Sequence, residues 1–562
     1  MDIIAAQKFS PTKAKNADPT TSAKLCPECY MLLQDGIEHK CTSAPPAVIQ
    51  MLDSAKRPKT EEEIAAQVVR KKLKLEATTI SDEKYGTVTL ATGGRPLQVE
   101  VKKPNSTPSA TATATSGSFV NHMREQNMSL RQIRKEQQFI RSIFGRASVE
   151  AKSHLKIIDA THQMDRFFAV KRMEFTEKDG DTVKKIQRPV VYVIDPKELF
   201  RYLYEKNNFD EETMFLKIGI DDGQGVLKIC LLIVKKDATE AANSVKDVTI
   251  LGAVPQVKEN YENVSQLWEA VGMNDIVMKL AADLKIDNLI LGIQSHSSSH
   301  SCYICNSRNP FKKGKDWPKG WTERTLGRIR DKVKAWRNAG SNPDKAKNFE
   351  NCTNFPLFIN EDDDVRTIDL VPPCELHLLL GPVNHMMQEL EKVWPETDMW
   401  VSGCNAYKRG QDHGKLNGNG CNKLLEEDNL AHLVALLPEE HANFGAAFSA
   451  FSDVVKGCFS YHVSDTIRED IEKFQKCYLN LNITVTPKVH IVFDHLYPFL
   501  KDQNASNTGA WRGLAMYSEQ AFEAIHADFK KRLEHFKVNL DNEGYDGKFL
   551  RAVCMYNSLN NI

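Results

Sequence analysis

The sequence predicts an α/β fold from three features: a β-hairpin near the middle of the chain, a long helical stretch after it, and an acidic helix near the end. Short β-rich runs bounded by Asp, Gly and Pro predict strands, and two of them are joined by Asp-Gly-Gln-Gly, which favours a hairpin turn. The predicted strands cover 189–195, 214–221, 226–234 and 247–254. Helical patterns follow at 262–285, over most of 310–480, and around 488–502, 516–536 and 547–557. Together these elements indicate an α/β arrangement.

The composition excludes a uniformly basic nucleic-acid binder. Among 562 residues, Lys+Arg and Asp+Glu are both 74, so any DNA contact must come from local basic clusters. There is no run of 18 apolar residues and no apolar signal core at the start, which predicts a soluble intracellular protein without a membrane span. Thirteen cysteines, an odd number, are then more typical of free thiols and zinc ligands than of disulfides.

The first candidate metal site is a compact Cys/His cluster within 1–45. It consists of Cys26 and Cys29, separated by two residues in Cys-Pro-Glu-Cys, followed by His39 and Cys41. Two cysteines at this spacing form a tight corner around tetrahedral Zn²⁺, and the later pair can complete the site. We therefore predict a small zinc finger, the alternative being four unligated groups in a disordered tail.

Two basic segments follow the predicted finger. Residues 46–120 are poor in aromatics and rich in Lys, Thr, Ser and Ala, so we predict a flexible linker. Its clusters KRPK (56–59) and RKKLK (70–74) suit nuclear import or phosphate contacts, although a solvated helix face would look the same. Residues 121–157 combine helical apolar spacing with a basic remainder, and we assign 121–175 as a helical DNA-binding element, the alternative being a cationic surface helix.

A second Cys/His set is split across the chain. Cys302 and Cys305 form C-x2-C, while His490 and His495 form H-x4-H far downstream. Each pair suits two tetrahedral ligands, but spacing alone does not show that the pairs meet. His296 and His300 are competing ligands near Cys302.

The candidate catalytic acids cannot be chosen by pattern alone among 74 acidic residues. Asp222 ends a predicted strand and opens a Gly-rich turn, so its carboxylate would project from a sheet edge. Glu519 and Glu523 are one helical turn apart and would face the same way. A two-metal phosphoryl-transfer site needs carboxylates from several elements.

Several motifs in order resemble the catalytic core of the V(D)J recombinase large subunit and of Transib-type transposases. The resemblance is closer still to uncharacterised transposon-derived proteins of invertebrates. It is carried by the order and approximate spacing of IDDGQG (220–225), KLAADLKI (279–286), SCYIC (301–305), ELHLLLGPVN (375–384), KLNGNGCNKLL (415–425), KVHIVFDH (488–495) and GAWRGLAMYSEQAFEAIH (509–526).

The resemblance implies an RNase-H-like catalytic fold interrupted by a long helical insertion before the final acid. It implies that residues 176–300 form the first part of this core, that 301–500 form the insertion with a zinc site, and that 501–562 contain the acidic catalytic helix. Asp222 then resembles the first catalytic acid, Asp283 the second, since it lies nineteen residues before Cys302 as in the family, and Glu523 the third. Asp221 is a rival for Asp222. Glu519 is a rival for Glu523, because the spacing after Ser518 is one residue longer here than in the vertebrate recombinase.

Further implications concern cofactors and partners. The acids would hold two Mg²⁺ or Mn²⁺ ions for phosphodiester hydrolysis and transesterification at transposon ends, and Cys302, Cys305, His490 and His495 would form one zinc site. Double-stranded DNA with terminal inverted repeats, a homodimer, an accessory subunit and a nuclear location are expected. Gly93-Gly94-Arg95-Pro96 resembles the family's DNA-end-binding arm, which suits a minor groove, or is an ordinary turn. The rival function is a domesticated, catalytically inactive DNA-binding regulator.

Overall fold

The computed structural model describes most of the chain beyond residue 113. The described ranges are 114–144, 148–179, 182–236, 244–274, 276–295, 297–308, 320–358, 362–406, 416–505, 511–536, 540 and 542–561, together with the backbone of five short strands before residue 103. The chain divides into two compact units, Met1–Ala160 and Thr161–Ile562. The predicted finger ligands Cys26, Cys29, His39 and Cys41, as well as Arg95 and His296, lie outside the described residues.

The first unit contains short strands followed by helices. The strands are Lys24–Leu25, Leu32–Leu33, Lys74–Glu76, Tyr85–Ala91 and Leu97–Lys102, the last three pairing antiparallel within the range predicted as a linker. The helices are Ser116–Glu125, Leu130–Phe144 and Ser153–Thr161. Thr115 caps the first of these helices by accepting a hydrogen bond from the Ser118 amide.

The second unit is built on a six-stranded mixed sheet. The strands are β1 (Phe168–Asp179), β2 (Thr182–Val193), β3 (Met214–Gly223), β4 (Val226–Lys235), β5 (Thr249–Pro255) and β6 (Lys279–Leu280). Their spatial order is β6-β3-β4-β5-β2-β1, and every neighbouring pair is antiparallel except β3 and β6, which are parallel. Helices flank the sheet, so the predicted α/β class is confirmed.

The predicted hairpin is confirmed as β3 and β4, which pair from Met214 with Lys235 to Gly223 with Val226. Its two turn residues, Gln224 and Gly225, have φ of 60° and 73°. Positive φ at both positions is what a type I′ turn requires, and glycine adopts it without steric cost. The turn brings the acidic end of β3 to the edge of the sheet.

Two sequence predictions around the sheet were wrong. The helical pattern at 262–285 is a helix only over Tyr261–Val271, ended by Gly272 in the left-handed region, and over Leu284–Ile290, with β6 between them. Pairing of β6 with β3 overrides the local helical pattern. Strand β1 was missed because its ladder with β2 extends into exposed, charged residues that lack strand alternation.

The described residues between 301 and 500 are mainly helical, as predicted, and their helices pack around buried aromatic residues such as Trp400, Phe448 and Phe474. Among the described residues, no helix is long and apolar enough to cross a membrane. The remaining helices of the second unit are Pro196–Asn207, Leu326–Asn338, Thr367–Leu370, Glu375–Glu391, Thr397–Gly403, Gly418–Leu424, Glu427–Leu436, Ala442–Cys458, Ile467–Asn480, Pro487–His490, Leu496–Gln503, Gln520–Glu534 and Tyr545–Asn560.

Candidate metal centres

The structure brings the two distant Cys/His pairs together. Cys302, Cys305, His490 and His495 are all buried, and one ligand atom from each lies within 4.8 Å of the others. The Cys305 Sγ atom is 3.2 Å from His490 Nε2, which is 3.1 Å from His495 Nε2. These four residues, called the Cys/His cluster below, are a donor set that fits tetrahedral Zn²⁺.

A local helical irregularity explains why His490 and His495 face the same point. In an α-helix, residues five apart are rotated by about 140° from one another. Here Ile491–His495 forms a π-helical turn, whose i→i+5 hydrogen bonding brings such residues onto one face. Asp494 Oδ2 lies 2.9 Å from His490 Nδ1, and a carboxylate on the second ring nitrogen orients a metal-binding imidazole.

The loop carrying Cys302 and Cys305 is held by a buried arginine. Arg324 Nε donates hydrogen bonds of 2.9 Å to the carbonyl oxygens of both cysteines. The Ser307 amide lies 3.4 Å from Cys305 Sγ, and the Trp321 ring packs edge-on against His495, with the ring centroids 4.4 Å apart. Although burial opposes it, contacts with Cys302 and the imidazoles lower the pKa of the Cys305 thiol. A thiolate is the form that binds metal.

A second group joins the sheet to a helix near the chain end. Asp221, Glu523 and His526, called the acidic cluster below, each offer a ligand atom within 4.8 Å of the others. Asp221 lies on β3, and the other two lie three residues apart on Gln520–Glu534, hence on one helix face. His526 Nε2 contacts Asp221 Oδ2 although the residues are 305 positions apart in sequence.

Two glycines on β3 allow this helix to approach the strand. A Cβ atom at Gly219 would lie 2.3 Å from the Phe522 ring, and one at Gly223 would lie 2.0 Å from the His526 ring. Since side chains alternate between faces along a strand, Asp221 shares the face of Gly219 and Gly223. That face is the one that meets Gln520–Glu534.

Asp222, the acid that the sequence resemblance favours, points to the other face of β3. Its amide donates a 2.7 Å hydrogen bond to Glu259 Oε1, and its buried Oδ1 has no hydrogen-bond partner among the described residues. Burial raises the pKa of Asp222, while the charges of Lys228 and Lys285 oppose the rise. Of the two adjacent aspartates, the structure thus places Asp221 with Glu523.

Asp283 lies close to the acidic cluster. It follows β6 and caps the helix Leu284–Ile290, accepting a 2.7 Å hydrogen bond from the Ile286 amide. Because β6 is parallel to β3, the carboxyl ends of both strands reach the same edge of the sheet, where ligands bind in open α/β sheets. Burial, and then the charges of Asp221 and Asp283, raise the pKa of Glu523.

Glu519, the rival third acid, lies in the protein interior instead. It is 2% exposed, and its Oε1 accepts a 3.1 Å hydrogen bond from the His377 amide. Burial raises the pKa of Glu519 to about 8, with a further contribution from the charge of Glu375. Glu519 is hydrogen-bonded in the interior, whereas Glu523 lies with Asp221 and His526, so Glu523 is the better placed of the two.

Glu519→Gln should stabilise the fold at neutral pH and leave metal-dependent activity intact. The folded-state pKa lies above the ordinary 4.5, so the stabilisation by the neutral form is present below pH 4.5 and is lost as the pH rises towards 8. At pH 7 the free energy of unfolding of the wild type should therefore be about 3 kcal/mol lower than that of Glu519→Gln. Urea unfolding at pH 5.5 and 8 measures this, with the exposed Glu427→Gln as control. An unchanged pH dependence in Glu519→Gln would refute the assignment.

Sequence reasoning missed His526, Glu259 and His377 near the acids. The Glu523-x-x-His526 spacing could have indicated His526, because this motif supplies two metal ligands from one helix face. Burial and the charge of Lys488 lower the pKa of His377 to about 4, against the charges of Asp283 and Asp221. No sequence signal placed His377 beside these acids.

Comparison with known proteins identifies one matching domain family, but this family has no described activity. A family model described as "Domain of unknown function (DUF8703)" matches residues 176–336, less than a third of the chain. That range includes Asp221, Asp283, Cys302 and Cys305, but not the later ligands. A search of the curated proteins found no match. The chain is thus similar, over 176–336, to a family whose function is not described.

Proposed function

We propose that this protein is a DNA transposase or recombinase that cleaves and rejoins DNA strands through divalent cations held by Asp221, Asp283 and Glu523. The observation that carries the proposal is the approach of three carboxylates from three separate elements. One comes from β3, one from the end of the parallel strand β6, and one from a helix that follows the long insertion. Such convergence is what two-metal phosphoryl transfer needs.

The sheet architecture supports an RNase-H-like core. The resemblance implies a mixed sheet flanked by helices and interrupted before the last acid. The helices of the insertion and the Cys/His cluster lie between Asp283 and Glu523 in sequence. The proposal differs from the sequence resemblance in one residue, since Asp221 replaces Asp222 as the first acid.

The donor set fits Mg²⁺ or Mn²⁺, because both are hard cations that prefer carboxylate oxygens. When bound, such ions activate water and later a DNA 3′-hydroxyl, and stabilise the leaving oxygen. Asp221 contacts His526, and its charge contributes to the raised pKa of Glu523. Lys258 is exposed and lies near Asp222, where its charge can meet a phosphate.

We further propose that the Cys/His cluster holds one structural zinc ion. Its four buried ligands leave no open position, which is typical of structural and not catalytic zinc. The cysteine pair lies at the start of the insertion and the histidine pair near its end. Zinc would therefore close the insertion into a loop at its base and hold the last helices, including Gln520–Glu534, against the sheet.

The proposed function can be tested by incubating the full chain with duplex DNA that carries the terminal inverted repeats flanking its gene. We expect nicks at the repeat ends that leave a 3′-hydroxyl, that require Mg²⁺ or Mn²⁺ and that disappear with a chelator. Salt-sensitive binding to the same DNA without any nick under either cation would instead support the inactive regulatory protein.

A further inference from the structure

We propose that His526 is a direct ligand of the cation that Asp221 and Glu523 hold, and that this makes the position selective for Mn²⁺ over Mg²⁺. The inference rests on the proposed function only in using the same carboxylates. It deepens that function by specifying the cation and by adding a nitrogen ligand to an all-carboxylate set.

The helix geometry places His526 as a ligand. Glu523 and His526 are three residues apart on Gln520–Glu534, so both project towards β3. A Glu-x-x-His pair on one helix is an established way of supplying a carboxylate and an imidazole to one cation. Asp221 faces this pair from the strand, and the three ligand atoms lie within 4.8 Å of one another.

The imidazole of His526 is held in position by close packing against the strand. His526 is 8% exposed, and its Nδ1 atom has no hydrogen-bond partner among the described residues. Its Nε2 atom is directed at Asp221. The ring occupies the space left by Gly223, where any Cβ would displace it. The imidazole is thus positioned by close packing, with its Nε2 atom turned to the carboxylates.

The chemistry of this donor set separates the two cations. Mg²⁺ demands near-ideal octahedral oxygen coordination and gives up its waters reluctantly. Imidazole suits later first-row metals, and carboxylates suit Mg²⁺ and Mn²⁺ alike, so a mixed set favours the transition metal. Mn²⁺ binding at Asp221, Glu523 and His526 should therefore be tighter than Mg²⁺ binding.

Pulsed electron paramagnetic resonance on the Mn²⁺-loaded full chain, without DNA, tests the inference. We expect modulation from a directly bound ¹⁴N nucleus in the wild type and in His377→Asn, whose imidazole lies near the same acids. We expect its loss in His526→Asn. Mn²⁺ affinity should fall at least roughly tenfold in His526→Asn, with little change for Mg²⁺. His526→Asp, which restores an oxygen donor, should narrow the preference between the cations.

Absence of nitrogen modulation in the wild type would overturn the inference even if His526→Asn fails to fold. Loss of the signal in His377→Asn, with its retention in His526→Asn, would overturn it as well. Failure of the proposed function appears differently. If the wild type shows the His526 signal but never nicks DNA, the cation site is supported and the recombinase function is refuted. If it nicks DNA without that signal, the recombinase function is supported and His526 is refuted as a ligand.

Discussion

Asp221→Asn is expected to abolish metal-dependent strand cleavage, whereas Asp222→Asn should remain active. The two residues are adjacent on β3 and carry the same carboxylate, but only Asp221 lies in the acidic cluster. Removing Asp221 takes away the carboxylate that contacts the helix carrying Glu523. The loss should exceed the roughly 10- to 100-fold that removal of an outer partner of a metal site costs.

The pair is a matched test, since both substitutions remove one negative charge at neighbouring positions. Nicking rates under Mn²⁺ and Mg²⁺, with circular dichroism to check folding and a DNA-binding assay to check the substrate interaction, give the comparison. We expect Asp222→Asn to stay within roughly tenfold of the wild type. An inactive Asp222→Asn beside an active Asp221→Asn would contradict the assignment and restore the acid favoured by the sequence resemblance.

Cys305→Ser is expected to remove one zinc equivalent and to unfold the base of the insertion. Structural zinc contributes roughly 10–16 kcal/mol of apparent binding energy in small zinc domains, which is as large as the whole stability of about 5–15 kcal/mol of a typical protein. The thiol lies 3.2 Å from His490 Nε2 in a buried cluster, so a hydroxyl in its place cannot supply the same ligand.

Cys458→Ser is the control for this variant. Cys458 is equally buried, but its thiol donates to the Val454 carbonyl oxygen, at 3.4 Å, and lies outside the Cys/His cluster. Burying a hydroxyl there should cost about 1–3 kcal/mol without zinc loss. Metal analysis of the purified full chains, with thermal unfolding before and after a chelator, provides the measurement. Equal zinc content in Cys305→Ser and the wild type would contradict the proposed zinc site.

The sequence predicted the elements that depend on local patterns. The β3–β4 hairpin follows from two short β-rich runs around a turn that needs positive φ at Gln224 and Gly225. Most helices of the insertion follow from apolar periodicity. The short strand β6 does not, because only its parallel pairing with β3 makes Lys279–Leu280 extended.

The candidate sites depend on contacts that no local pattern contains. Choosing between Asp221 and Asp222 requires knowing which face of β3 packs against the helix Gln520–Glu534. Gly219 and Gly223 mark that face, but their role is visible only in the folded structure, where they contact the helix. The burial of Glu519 is equally invisible in sequence. His490 and His495 share a face only because the turn between them is π-helical.

Anomalous diffraction from crystals of the full chain soaked in Mn²⁺ would locate the cations relative to the acidic residues. We predict manganese density coordinated by carboxylate oxygens of Asp221, Asp283 and Glu523, with metal–oxygen distances of roughly 2.1–2.3 Å. A pair of peaks about 3.5–4 Å apart would correspond to the two-metal form. Manganese bound to Asp222 instead of Asp221, or no manganese at these three acids, would contradict the account.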